Sequence, residues 1–94
     1  MTEVRFTRTA TMLGVKIEGH QGTSLECAAV SAMGCMLINA LAAEDLMVEP
    51  VAMHDEGLLM ATCLRTPRTE AMYDMLRRGF EAMQEAMPDK IKVQ

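Results

Sequence analysis

The stretch MLGVKIEGHQGTSLECAAVSAMGCMLINALAA, residues 12–43, decides how the rest of the chain is read. Its first seven residues alternate, with Leu13, Val15 and Ile17 on one side and Lys16 and Glu18 on the other. That is the pattern of a half-buried strand. Gly19, His20, Gln21, Gly22 and Thr23 follow, and two glycines in four residues mark a loop. Ser24 is a residue type that caps a helix. The spacing then predicts a helix over residues 25–43, apolar nearly all round, so burial is expected on several sides, against a sheet and against something else. Gly34 inside it costs about 1 kcal/mol of helix propensity. Close approach of another backbone is the expected reason.

Upstream, residues 4–8 alternate and contain β-formers, and residues 9–11 are a turn, so a hairpin opens the chain. Downstream, residues 48–53 and 58–64 are apolar runs separated by His54, Asp55, Glu56 and Gly57, a second hairpin with an acidic turn. Thr66 followed by Pro67 is a helix start, a capping hydroxyl with proline at the first helical position. Met72, Met75, Leu76, Gly79, Phe80, Met83 and Met87 make an apolar stripe at helical spacing. Pro88 stops that helix, and Ile91 and Val93 allow a short last strand. The order is β-β-α-β-β-α with a final β. The fold class is α/β (α+β), a two-layer sandwich in which two helices cover a mostly antiparallel sheet. With 94 residues, the chain is expected to be one domain, residues 1–94.

Half the residues are apolar but three are aromatic, and eleven methionines make up the difference. Methionine packs irregular spaces, so these are read first as core filler. A net charge of −4 without a basic run argues against direct nucleic-acid binding. Residues 27–43 are nearly apolar but contain Ser31, Gly34 and Asn39, and they fall short of the roughly 20 apolar residues of a membrane span. No signal-peptide core opens the sequence, so a cytoplasmic location and no membrane contact are expected. Three irregularly spaced cysteines suggest no disulfide framework and, lacking a CxxC pair, no structural zinc.

Cys27 stands where a reactive cysteine should. With Ser24 as cap it is the third residue of the first turn, where unpaired amides and the positive helix end favour a thiolate. His20 precedes it in a glycine-flanked loop. An imidazole there can take the thiol proton and leave a thiolate–imidazolium pair able to attack a carbonyl. First-turn amides near Cys27 and Ala28 are placed to steady an oxyanion. The plainer reading stays open on spacing alone: a small buried cysteine and a solvated histidine. Cys35, about 80° round the helix from Cys27, is expected in the core, as is Cys63 in its apolar strand. His54 beside Asp55 fits an acid–base or metal pair as well as a turn surface. A His20–Cys27–His54 metal site matches no recognised ligand spacing, and no cofactor is expected. Arg77 and Arg78 read as a solvated face.

Gly19-His20-x-Gly22 followed by Cys27-Ala28-Ala29-Val30-Ser31 resembles the ribosomal-processing cysteine protease family. The resemblance extends over most of the chain, through Val48-Glu49-Pro50 after the first helix, the acidic turn before Gly57 and the amphipathic second helix. It implies a small homodimeric α/β cysteine endopeptidase that removes a short N-terminal extension from a large-subunit ribosomal protein. It also implies His20 as general base, Cys27 as nucleophile, Ser31 as a polar neighbour one helical turn on, and Gly19 and Gly22 as shapers of the loop. Two features depart from the family. Six residues separate His20 from Cys27, fewer than is usual, and Ser24 stands where the family has aspartate. Both fall on the substrate side and leave the reacting groups in place. The rival reading is a non-catalytic dimeric α/β module that binds a ribosomal protein or an assembly partner.

Overall fold

The computed structural model describes residues 1–19, 25–43, 51–53 and 58–94, with the backbone alone for 25–27 and 51–53. The elements are β1 (Thr2–Arg8), β2 (Met12–Glu18), α1 (Leu25–Ala43), β3 (Val51–Met53), β4 (Leu58–Leu64), α2 (Pro67–Ala86) and β5 (Ile91–Val93). They build a five-stranded sheet in the order β3-β4-β2-β1-β5. Three of its strand pairs are antiparallel, and the fourth, β1 with β5, is parallel.

The alternation in β1 and β2 is what makes the sheet two-faced. Val4 lies opposite Ile17 and Phe6 opposite Val15, and all four are buried. Across β2, Leu13, Val15 and Ile17 meet Cys63, Ala61 and Leu59 of β4. These alternate residues form one continuous apolar face. Glu3, Arg5, Thr7 and Lys16 occupy the intervening positions, which are more exposed. β1 begins two residues before the alternating run suggests because Thr2 N–H donates to the Lys90 carbonyl at 2.9 Å, tying the chain start to β5. β5 is an edge strand, yet its outward amides are used: Ile91 N–H donates to the Met87 carbonyl and Val93 N–H to the Gln84 side chain. An edge satisfied by its own helix is a poor template for another strand.

α1 lays Val30, Gly34, Leu37 and Leu41 on the sheet, a buried row spaced by four, three and four. A β-carbon on Gly34 would stand 2.9 Å from Leu59 Cδ1 and 3.6 Å from Ile17 Cδ1. The close neighbour is therefore the Leu59 side chain, where the sequence led us to expect a backbone. The rest of α1 is less enclosed than its all-round apolarity predicts: Ala28, Ala29, Ala32, Cys35, Met36, Asn39, Ala42 and Ala43 are exposed.

α2 starts as expected. Thr66 caps it, and Thr66 and Thr69 form a capping box in which each side chain accepts the other's backbone N–H. Its buried residues are Thr69, Tyr73, Leu76 and Phe80, a row rotated from the methionine stripe read in the sequence. Met72, Met83 and Met87 only border the core, and Met75 is 67% exposed. No described methionine is fully buried, and Met33, Met72, Met83 and Met87 pack against the core from its border. The three aromatics supply its centre instead. Phe6 meets Tyr73 edge-on at 5.1 Å between centroids and tilts against Phe80 at 6.2 Å, geometries that suit the ring quadrupoles.

Candidate active site

β2 ends at Glu18, and the chain turns at Gly19 with φ of +76°. L-residues with a β-carbon are disfavoured there. Space is also short: a β-carbon on Gly19 would lie 2.5 Å from the Met1 carbonyl oxygen. Thus the residue before His20 is a glycine for two separate reasons.

Cys27 is the third residue of α1. Its backbone lies in the first turn, where amides have no intrahelical acceptors and the helix dipole is positive. Cys27 continues the row of Val30, Gly34, Leu37 and Leu41 by three positions. One contact ties this row to β2, since Ile17 lies beside Gly34. From it, Gly19 is two strand residues away, about 7 Å, and Cys27 is seven helical residues away, about 10 Å.

His20, Gly22 and Ser24 lie outside the described residues, as does the turn of His54 and Asp55. Ser31, one turn after Cys27, is half-buried and engaged with a partner. The other thiols divide. Cys63 is buried as expected, and burial pushes its thiol pKa up, with the Thr69 hydrogen bond pulling the other way. Cys35 is exposed, contrary to its expected place in the core. The helix meets the sheet along the Val30–Leu41 row, and Cys35 falls one position beyond Gly34 on the open side. No group of three or more possible metal ligands occurs among the described residues. No helix of the described residues is long and apolar enough to cross a membrane.

The sequence reading missed how Gly19 is held. A glycine before a histidine has no period or spacing that reports the Met1 carbonyl, which reaches it across the β1–β2 pair. It also missed two grooves. One, of about 310 Å³, runs between the helices and is lined by Met33, Met36, Leu37, Met72, Met75 and Gly79 among others. The other, of about 900 Å³, lies where Met1, the end of α2 and β5 meet.

A family model described as cysteine protease Prp matches residues 1–92. The chain belongs to the cysteine protease Prp family. It is thus a cysteine protease by family, and the match favours the enzyme over a non-catalytic module. No curated protein matches the chain. Among solved structures, it resembles a Streptococcus mutans protein at 22% identity with a TM-score of 0.81, over 100% of this chain and 96% of the other. It also resembles the essential ribosomal processing protease Prp from S. aureus, solved with a covalently linked product peptide. There identity is 18% and the TM-score 0.81, over 100% of this chain and 98% of that one. The same protease with a substrate peptide matches at 16% and 0.72, again over 100% and 98%. At these identities the likeness is one of fold, and that fold is the Prp α+β sandwich.

Proposed function

We propose that Cys27 is the nucleophile and His20 the general base of a cysteine endopeptidase that removes a short N-terminal extension from a large-subunit ribosomal protein. The observation that carries this reading is the family match across residues 1–92 in a chain whose Cys27 backbone stands in the first turn of α1. The S. aureus relative, named a ribosomal processing protease, supports the substrate class.

The chemistry balances with these two side chains. The imidazole of His20 takes the Cys27 Sγ proton, and Sγ attacks the scissile carbonyl carbon. First-turn amides steady the oxyanion. The C–N bond then breaks, and the imidazolium returns its proton to the leaving amine. Water, deprotonated by His20, releases the thioester as a carboxylate and restores the thiol. Gly19 and Gly22 shape the loop, Ser24 caps α1, and Ser31 supports the pair from one turn away. The short span between His20 and Cys27 alters contacts with the peptide and not the reacting groups.

The protease acts as a homodimer in the cytoplasm, where ribosomal proteins are made. Support for pairing comes from α1, which carries no charge between Cys27 and Ala43 and exposes Met36 at 64%.

The test is thiol labelling together with cleavage. Iodoacetamide should modify Cys27 ahead of Cys35 and Cys63, with an apparent thiol pKa below the free value of about 8.5. Cys27→Ala should abolish cleavage of a peptide that spans the extension, and cleavage surviving that change would overturn the assignment.

A further inference from the structure

We infer that Gly19 is a positioning residue for the general base: a fixed left-handed bracket, not a hinge, that sets the direction in which the chain leaves β2 toward His20. This rests on His20 being the base, as proposed above.

Two observations carry it. The first is the φ of +76° at Gly19, which an L-residue with a β-carbon adopts only with strain. The second is the crowding of that position, with the Met1 carbonyl oxygen 2.5 Å from where a β-carbon would lie. Neither neighbour is free to yield. Glu18 is paired with Glu3 in the β1–β2 register. Thr2, the residue after the crowding carbonyl, is 4% exposed, donates its N–H to Lys90 and sits opposite Ile91 of β5. The start of β1 is therefore gripped between two strands, and its carbonyl is a wall. Relief of the clash must come from Gly19 itself, and so from the direction it gives the chain. A hinge would need space and alternative dihedrals, whereas this glycine follows a paired strand and abuts the start of β1.

The handedness of the requirement makes it testable. D-alanine favours positive φ and puts its β-carbon in the place of the other α-hydrogen. A fixed bracket tolerates it and rejects L-alanine, whereas a hinge is stiffened by both. Residues 1–26 made as a synthetic thioester can be joined to expressed residues 27–94 at Cys27 itself, giving the full chain with either isomer. Iodoacetamide is the probe, and the readout is the rate of Cys27 alkylation from pH 5 to 9, with exposed Cys35 as the internal standard. Glu3, Glu18 and the Met1 ammonium flank the site and are unchanged in every variant.

Gly19→Ala should slow Cys27 alkylation near neutral pH by about ten- to a hundredfold, the scale of a displaced catalytic group. It should also move the Cys27 profile toward that of a free thiol and leave Cys35 unchanged. The D-alanine chain should keep the wild-type profile. An unshifted profile in Gly19→Ala, or an equal shift in both isomers, overturns the bracket. If Gly19→Ala does not fold, the D-alanine chain decides alone, since a shifted profile there is the hinge outcome. His20→Ala separates the two claims. If it leaves Cys27 alkylation unchanged, the base assignment has failed and the bracket with it. If it slows alkylation while Gly19→Ala does not, only the bracket has failed.

Discussion

At the scale of single residues, the three cysteines are set apart by where the fold leaves them. Cys63 is 6% exposed, next to Thr69 on the inner face of β4. Burial pushes its thiol above the free value. The native state therefore holds the Cys63 proton to higher pH than the unfolded chain does. Above the free value of about 8.5 the unfolded chain releases that proton first, so stability falls as pH rises from there until the folded thiol also ionises. Thermal melts between pH 8 and pH 10 should show this loss, and Cys63→Ala should reduce it. An equal loss in the variant would mean that other groups govern the alkaline limb. Thr69 is the other residue to test. It is 1% exposed, accepts the Thr66 N–H and donates to the Leu64 carbonyl at 2.7 Å. Thr69→Val keeps the shape and strands both partners, so it should cost about 1–3 kcal/mol in urea unfolding.

Between elements, two glycines predict opposite outcomes from the same substitution. Gly34 is buried where α1 crosses the sheet, and an added β-carbon would meet Leu59 Cδ1 at 2.9 Å. Leu59 is itself buried. The crowding offsets alanine's better helix propensity, and Gly34→Ala should destabilise by about 1 kcal/mol or more. Gly79 on α2 faces Met33, whose Cε would be 2.6 Å from a β-carbon. That atom is the free end of a flexible chain beside an open groove, and it can turn away. Gly79→Ala should therefore stabilise, by up to about 1 kcal/mol from helix propensity. Urea midpoints of the two variants on either side of wild type would bear out both packing arguments, and midpoints in the reverse order would refute them. The tie of Glu70 to both Arg8 and Arg65 belongs to this scale too, since it joins β1 to the β4–α2 junction. Its groups are partly exposed, and such pairs contribute little.

For the whole molecule, the unusual feature is a 19-residue helix in contact with the sheet along one row while its other faces carry no charge after Glu26. Met36 and Met75, exposed at 64% and 67%, stand on either helix at the groove between them. If two copies pair through this face, Met36→Lys should shift the protein from dimer to monomer in light scattering after gel filtration, because an ammonium cannot be buried there unpaired. A dimer that survives Met36→Lys would move the contact elsewhere, for example to the uncovered face of the sheet.

The fold was largely legible in the order of residues, because local rules acted alone there. Alternation placed β1 and β2, an apolar run after an acidic turn placed β4, a capping threonine before proline placed α2, and glycines, apolar composition and length placed α1. The candidate pair was legible as a motif, and Cys27 as the third residue of a helix. What the residues determined by themselves is periodicity, and periodicity states how many faces can be buried, not which are. Cys35 and Met75 have the composition of core residues and are exposed because the sheet meets each helix along one narrow row. The parallel pairing of β5, the Phe6–Tyr73–Phe80 cluster and the Met1 carbonyl against Gly19 were decided only by tertiary structure. Each joins residues far apart in the chain, and short-range spacing contains no record of such distances.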